Sequence, residues 1–176
     1  FFGASVSVSG GTAVIGAYFH DDNGMSRSGS AYVFERQEDG SWLEVSQLLA
    51  SDATANDYFG ESVSVSGGVA VIGAKENDDN GSSSGSAYIY ERQEDGAWLE
   101  VSQLVARDAR GDRCFGASVS VSGGNAVIGA YFHDDNGMSR SGSAYVCDRQ
   151  EDGSLLEGSQ ILASGSTAND DCGEAA

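Results

Sequence analysis

The sequence contains no proline, and Lys75 is its only lysine among 176 residues. Lysine and arginine together number 9 against 27 acidic residues, which gives a formal net charge of −18 at pH 7. Binding to nucleic acid or to an anionic membrane surface requires cations that neutralise phosphate. The charge balance therefore argues against both kinds of partner, whereas an acidic surface favours solubility and divalent cations.

Long apolar runs are also missing. No stretch approaches the roughly 20 consecutive apolar residues that cross a bilayer, and no basic segment followed by an apolar one opens the chain. The sequence therefore predicts no membrane insertion in this segment. Because the chain begins and stops inside a repeated pattern, we interpret it as a piece of a longer protein. The missing signal peptide then leaves the compartment open.

The sequence does contain one stretch that occurs three times. Phe2-Gly3 opens a segment that ends in Val14-Ile15-Gly16-Ala17, and the same order of residues returns from Phe59 and from Phe115. A fourth start, Cys172-Gly173-Glu174, follows. A fixed period of this size indicates a repeat architecture, in which a single repeat cannot bury its own apolar face. The predicted repeats are 1–57, 58–114 and 115–171, with a truncated start at 172–176.

Each repeat is predicted to form four strands. In the first repeat, residues 4–9 alternate apolar and hydroxyl side chains, as in a strand with one buried face. Gly10-Gly11 offers a two-residue hairpin turn, and residues 12–17 form an apolar run typical of a strand buried on both faces. Residues 29–36 are the third strand. The apolar spacing of residues 42–50 also fits a helix, but the short turn before them favours a fourth strand.

Four short antiparallel strands per repeat predict the blades of a β-propeller, so the expected fold is all-β with three four-stranded antiparallel blades. The glycines of the Phe-Gly and Ile-Gly-Ala segments suit the inner end of a blade, where neighbouring backbones approach closely. Three blades are too few to close a ring. A longer chain with the remaining blades, a second copy of the chain, or an open arc with exposed edges are the three alternatives.

A known family shares these features. The Phe-Gly start, the Val-Ile-Gly-Ala end of the second strand and the Gly-Ser-Ala-Tyr-Val-Phe third strand resemble the FG-GAP repeat over essentially the whole chain. The resemblance implies a propeller of about seven blades. It also implies a role in adhesion or ligand binding at the cell surface or outside the cell, and no catalysis.

The sequence departs from this family in two ways. The proline that follows Gly-Ala in the family is replaced by Tyr18, Lys75 and Tyr131. In integrin repeats that bind calcium, an Asp-x-Asp-x-Asp-Gly loop joins the first two strands, whereas the corresponding segment here is only Ser-Gly-Gly. The calcium site of the family is therefore not carried over to any of the three repeats.

The loop after the second strand is the predicted metal site. It repeats an Asp-Asp-Asn-Gly segment, and carboxylate and amide oxygens are the hard donors that Ca²⁺ prefers. Aspartate and asparagine also bond to N–H groups of their own turns, so turn capping is the alternative role. The candidate calcium ligands are Asp21, Asp22, Asn23, Asp78, Asp79, Asn80, Asp134, Asp135 and Asn136.

Aromatic residues precede this loop in the first and third repeats. Tyr18, Phe19, Tyr131 and Phe132 are the candidate ligand-binding residues. If they are exposed they can stack on a sugar ring, and if they are buried they close the seam between two blades. Trp42 and Trp98, with Leu155 at the same position of the third repeat, are predicted to pack between blades.

Cysteine is scarce, with 3 residues and no CxxC spacing. All three stand where other copies of the repeat have an aromatic residue. We therefore predict small buried thiols in place of rings, and neither a metal site nor a redox motif. These residues are Cys114, Cys147 and Cys172.

No catalytic group is predicted. His20 and His133 each lie beside an aspartate, but Asn77 takes this position in the second repeat and no nucleophile motif accompanies them. The serines alternate along strands, which we interpret as a surface pattern, and the aspartates of the linkers between repeats are predicted to cap turns. The expected function is a non-enzymatic binding or adhesion module for a protein or glycan ligand. A lectin-like propeller and a fragment of a propeller hydrolase are the alternatives.

Overall fold

A computed structural model describes residues 1–108, 111–134, 140–150, 155–170 and 172–173, and strands are the regular structure in it. The described residues contain no helix that is long and apolar enough to cross a membrane. Twelve strands form three antiparallel sheets, each in chain order, so the predicted all-β fold with three four-stranded blades is confirmed.

The strands of blade 1 are β1 Ser5–Ser9, β2 Thr12–Gly16, β3 Ala31–Arg36 and β4 Trp42–Leu48. Blade 2 has β5 Ser62–Ser66, β6 Val69–Ala74, β7 Ser86–Arg92 and β8 Trp98–Leu104. Blade 3 has β9 Ser118–Ser122, β10 Asn125–Ala130, β11 Ser143–Arg149 and β12 Leu155–Ile161.

The first hairpin of each blade has the predicted two-residue turn. In blade 1, Ser9 pairs with Thr12, which leaves Gly10 and Gly11 as the turn. Their φ angles are 58° and 93°, and residues with a side chain rarely adopt this region. Such a turn matches the right-handed twist of the two strands that it joins.

The segment whose spacing also fits a helix is a strand. Trp42–Leu48 pairs antiparallel with β3, and the register shifts between Val33 and Phe34. The same irregularity recurs in blade 2 between Ile89 and Tyr90 and in blade 3 between Val146 and Cys147. This local extra residue explains why the apolar residues of the segment lack a strict period of two.

The alternating first strands contact two neighbours. Val63 and Val65 are only 8% and 5% exposed and pack in one apolar cluster with Val14 of blade 1. On the opposite face, the Ser62 hydroxyl donates a hydrogen bond of 2.7 Å to the carbonyl oxygen of Gly116, where blade 3 begins. The interpretation of these serines as a surface pattern is therefore wrong. Equivalent bonds join Ser5 to Gly60 and Ser118 to Gly173.

The second strands lie at the closest approach of two blades. All six residues of β6 are buried, as predicted for a strand covered on both faces. A Cβ atom at Gly73 would overlap the carbonyl oxygen of Gly116 in blade 3, and Gly16 has the same relation to Gly60. The prediction that these glycines permit close backbone contact between blades is confirmed.

The row of blades has two uncovered ends. In the described part of the chain the three sheets form no closed ring. Trp98 and Leu155 are buried, at 6% and 3% exposed, because each packs on the preceding blade. The same prediction is wrong for Trp42, which belongs to the first described blade and is 44% exposed.

The cysteines are free thiols. Cys114 and Cys147 are buried, as predicted for positions that replaced aromatic rings, whereas Cys172 is half-buried. Burial raises the pKa of the Cys114 thiol to about 11, because the thiolate would lose its hydration. A thiol in this state is a poor nucleophile at neutral pH.

Candidate functional site

The first aspartate of each loop after the second strand caps that loop. The Asp21 carboxylate accepts a hydrogen bond of 2.7 Å from the backbone N–H of Arg27. Arg27 has a φ of 55°, so the bond holds a backbone conformation that is uncommon for a residue with a side chain. Asp78 binds the N–H of Ser83 and Asp134 that of Arg140 in the same way, each at 2.7 Å. This geometry is the turn capping that was considered as the alternative to calcium binding.

The second aspartate has different partners. Asp22 accepts a bond of 2.7 Å from the amide of Asn23, and Asp79 accepts one of 3.0 Å from Gln103. Asp135 and Asn136 lie outside the described residues. Among the residues that the structure does describe, no group of three or more histidine, cysteine or acidic side chains could hold a metal ion. Calcium binding by these loops stays a prediction.

A melting experiment separates the two roles. If calcium binds only the folded chain, it adds about 2.7 kcal/mol to the free energy of unfolding when its concentration is 100 times the dissociation constant. The melting temperature then rises with calcium concentration. The rise should disappear in EDTA and become smaller in Asp22→Asn/Asp79→Asn, which leaves the candidate loop of the third repeat unchanged. It should persist in full in Asp95→Asn, since Asp95 caps a hairpin turn elsewhere. An equal melting temperature in millimolar Ca²⁺ and in EDTA would reject calcium binding.

The loop end of blade 1 carries an aromatic group, which we call the first aromatic cluster: Phe1, Tyr18, Phe19 and Tyr58. The ring centroids of Tyr18 and Phe19 are 4.4 Å apart, and those of Phe19 and Tyr58 are 5.3 Å apart. The Arg27 guanidinium lies 5.1 Å from the centroid of Phe19. Tyr58 opens the second repeat, so the cluster spans the seam between two blades. Tyr18, Phe19 and Tyr58 nevertheless keep part of their surface in solvent.

A second aromatic pair lies at the loop end of blade 3. The centroids of Tyr131 and Phe132 are 4.2 Å apart, and the Arg140 guanidinium lies 4.7 Å from that of Phe132. Both rings are half-buried. Blade 2 has Lys75 and Glu76 at these positions, and the Lys75 ammonium lies 5.9 Å from the centroid of Tyr131. From the sequence, these aromatic residues were either accessible to a sugar or buried in a seam between two blades. The structure agrees with both roles, because the rings contact a neighbouring repeat and also keep part of their surface in solvent.

A partly buried polar network between blades 1 and 2 was missed from the sequence. The Tyr88 hydroxyl donates a bond of 2.7 Å to Asp52, and Gln103 donates one of 2.8 Å to the other oxygen of the same carboxylate. Burial raises the pKa of Asp52, because its charge loses hydration. Capping was predicted for these linker aspartates, and it is correct for Asp57, which accepts bonds of 2.7 and 2.8 Å from Thr54.

Between blades 2 and 3 a histidine takes part in the corresponding network. His133 is 3% exposed, and its Nε2 lies 2.6 Å from the Asp108 carboxylate, which also accepts a bond of 2.9 Å from Tyr145. In blade 2 the equivalent Asn77 accepts a bond of 2.9 Å from Ser86 instead. The sequence does contain one indication of both networks. Asp52 and Asp108 lie one repeat apart in the linkers, and each accepts a hydrogen bond from a tyrosine of the following blade.

Acid unfolding tests the contact of His133 with Asp108. Burial raises the pKa of Asp108, but the hydrogen bonds from His133 and Tyr145 outweigh it and leave the pKa below its usual value. Such a carboxylate stabilises the fold above the unfolded-state pKa of about 3.9. This contribution is lost as the pH falls through the folded-state pKa. We expect His133→Asn to move the midpoint of acid unfolding, followed by circular dichroism, to higher pH.

The matched control for this experiment is His20→Asn. His20 holds the same position in blade 1 and forms no ion pair among the described residues, so its replacement should leave the acid midpoint unchanged. Equal midpoints for His133→Asn and the unmodified chain would show that the contact with His133 does not lower the pKa of Asp108.

Three four-stranded antiparallel sheets that pack in chain order, through glycines of their inner strands, define the chain as a row of β-propeller blades. The family model of the FG-GAP repeat matches residues 1–34, 42–90 and 98–147, and the chain belongs to the FG-GAP repeat family. No curated protein matches the chain. The second and third matches each begin in the fourth strand of one blade and end in the third strand of the next, so both include a junction between blades.

Proposed function

We propose that the chain is a non-enzymatic binding module whose ligand contacts the loop end of the blades. The observation that carries this proposal is the first aromatic cluster, with its rings partly open to solvent beside Arg27 and Asp21. Aromatic rings and arginine are the side chains that contribute most to binding surfaces. Rings that are held by their neighbours lose little conformational freedom when a ligand binds.

The ligand that this proposal favours is a protein or a glycan. A sugar ring presents C–H groups that stack on Tyr18 or Phe19, and its hydroxyl groups suit a nearby carboxylate such as Asp21. The combination of stacked rings and an exposed carboxylate makes a lectin-like module the second candidate. The net charge of −18 supports neither nucleic acid nor an anionic membrane as partner. A location outside the cell or at its surface is proposed from the family resemblance.

A non-enzymatic role agrees with the state of His133 and Cys114. His133 is buried and engaged by Asp108, and Cys114 is buried with a raised pKa. A general base must reach a proton of the substrate directly or through one water molecule. A buried side chain that already binds its neighbour suits a structural role. These observations support a binding module over the propeller hydrolase.

Binding to glycan and peptide arrays tests the proposal. We expect the unmodified chain to bind a defined set of ligands and the double variant Tyr18→Ala/Phe19→Ala to bind them at least about tenfold more weakly, because a stacked ring contributes on the order of 1 kcal/mol. The control is Leu99→Ala, which removes an exposed apolar side chain on the fourth strand of blade 2. Retention of full binding by the double variant would place the ligand elsewhere.

A further inference from the structure

The seam between blades 2 and 3 contains a cleft of about 660 Å³ at its loop end. The blade 2 loop contributes Glu76 and Ser83 to its lining, the blade 3 loop contributes Phe132 and Arg140, and the linker between the repeats contributes residues 111–114. The cleft shares no lining residue with the first aromatic cluster. Its volume is within the range of pockets that hold small-molecule ligands.

The cleft exists because large side chains of the preceding seam have small counterparts here. In the first aromatic cluster, the centroids of Phe19 and Tyr58 are 5.3 Å apart, and the Arg27 guanidinium donates a bond of 3.3 Å to the Tyr58 hydroxyl. These three side chains fill the loop end of the seam between blades 1 and 2. The residues at the same positions of the next repeat are Glu76, Ser83 and Cys114.

The backbone of the two seams is alike at these positions. The φ angle is 58° at Tyr58 and 54° at Cys114, and it is 55° at Arg27 and 48° at Ser83. The N–H groups of Arg27 and Ser83 also bind an aspartate in the same way. The cleft is therefore a difference in side chains and not in the course of the chain.

Two guanidinium groups line the cleft. Arg113 donates a bond of 2.9 Å to the backbone carbonyl oxygen of Asp134, and the Arg140 guanidinium lies 4.7 Å from the centroid of Phe132. In the described part of the chain neither arginine forms an ion pair, although acidic residues outnumber basic ones by 27 to 9. Guanidinium groups held in place by such contacts, with N–H donors still unused, suit the oxygens of an anionic group.

Carboxylates beside these arginines restrict the kind of anion. Glu76 and Asp112 line the same cleft, and one oxygen of Glu76 accepts a bond of 2.7 Å from the Ser83 hydroxyl. An ionised carboxylate only accepts hydrogen bonds, so it suits a hydroxyl donor and repels further negative charge. The ligand that satisfies both kinds of side chain carries one anionic group and several hydroxyl groups.

We propose that this cleft binds an acidic sugar. The carboxylate or sulfate group of the sugar accepts hydrogen bonds from Arg113 and Arg140, and its hydroxyl groups donate to Glu76 and Asp112. An acidic peptide or a nucleic acid would instead place repeated negative charges against these two carboxylates. The site is separate from the first aromatic cluster, and the proposal does not rest on ligand binding there.

Matched small ligands test the chemistry of the site. Ligand-observed NMR titrations of the purified chain with glucuronate, galacturonate and a sulfated glucose should show binding. Glucose, which lacks the anionic group, and glutarate, which lacks the hydroxyl groups, should bind much more weakly. Stronger binding of a uronate identifies a carboxylate sugar as the ligand, and stronger binding of the sulfated glucose identifies a sulfated one.

Arginine variants test the position of the site. Arg113→Gln and Arg140→Gln, each alone, should weaken binding of the acidic sugar roughly tenfold, because a charge-assisted hydrogen bond is lost. Arg36→Gln is the control, since it removes the same charge from an exposed arginine beside the hairpin turn of blade 1. It should bind like the unmodified chain.

A variant that fills the cleft is independent of charge. Cys114→Tyr introduces the side chain that the preceding seam has at Tyr58, on a backbone with nearly the same φ. It should abolish binding of the acidic sugar and leave the circular dichroism spectrum unchanged. The variant Tyr18→Ala/Phe19→Ala should bind the acidic sugar like the unmodified chain, because it alters only the first aromatic cluster.

Several outcomes would overturn the proposal. Absence of binding to all three acidic sugars at millimolar concentration would reject the site, and equal binding of glucose or glutarate would reject the ligand class. Full binding by a folded Cys114→Tyr would place the sugar outside the cleft. Loss of binding in Tyr18→Ala/Phe19→Ala would assign the sugar to the first aromatic cluster instead.

Discussion

Replacing Gly73 with alanine is expected to lower the free energy of unfolding by about 3 kcal/mol or more. The added methyl group would overlap the carbonyl oxygen of Gly116 in the next blade and the hydroxyl of Ser62. The obstacle is backbone of a neighbouring sheet, so relief requires the two blades to move apart. Urea unfolding followed by circular dichroism measures the change.

The control for this variant is Gly165→Ala. Gly165 is exposed, has no neighbour within 4 Å of an added Cβ atom and lies outside the left-handed region of φ. Its replacement should leave the stability within about 0.5 kcal/mol of the unmodified value. Equal stability of the Gly73 and Gly165 variants would contradict the close approach of blades 2 and 3.

Phe59→Ala is expected to cost about 3–5 kcal/mol, because a large ring is lost from the core and leaves a cavity. Phe59 is fully buried between blades 1 and 2, and its centroid lies 5.3 Å from that of Tyr88. The ring contributes to both the core of blade 2 and its contact with blade 1. The variant is therefore expected to be the less stable member of a matched pair.

The other member of the pair is Phe2→Ala. Phe2 has the same position in blade 1 and meets Tyr32 at 5.5 Å, but it is 58% exposed because no blade covers it. At protein concentrations at which the chain is monomeric, its loss should cost much less than that of Phe59. Similar losses of stability would mean that the burial of Phe59 by blade 1 does not stabilise the fold.

Most of the fold could be predicted from the sequence, because its signals are local. The Gly10-Gly11 turn requires positive φ, and the alternation of residues 5–9 follows directly from the geometry of a strand. The repeat period then implies that the blades pack on one another. Local patterns do not show which neighbouring blade each face of a strand contacts. For that reason the serines of β5, which bind the following blade, were interpreted as surface residues.

The polar residues between the blades were predicted less well, because their partners lie in another repeat. His133 and Asn77 occupy the same position, yet one binds Asp108 of the preceding linker and the other a serine of its own blade. Sequence spacing relates residues within one copy, so it does not show which linker side chain reaches them. The assignment of Trp42 to a seam was wrong as well: its position in the repeat is that of Trp98, but its side chain is 44% exposed in the described chain.

The loop residues fall between these cases. The sequence identified the aspartates of the loops after the second strands, and either calcium binding or capping was consistent with the pattern. The bond from the Arg27 N–H to Asp21 depends on the positive φ of Arg27, which no motif of the sequence indicates. The cluster around Phe19 could not be predicted either, because Tyr58 joins it from the next repeat.

The hydroxyl bonds from Ser5 to Gly60, from Ser62 to Gly116 and from Ser118 to Gly173 have a consequence for how such a chain can change in length. Each bond uses a serine hydroxyl donor from one repeat and a main-chain acceptor from the next, so every repeat carries both the donor and the acceptor of this bond. Tandem duplication or loss of one whole unit would therefore create a junction with the same chemistry as the existing ones. The gene could gain or lose units without a compensating mutation at the new joint.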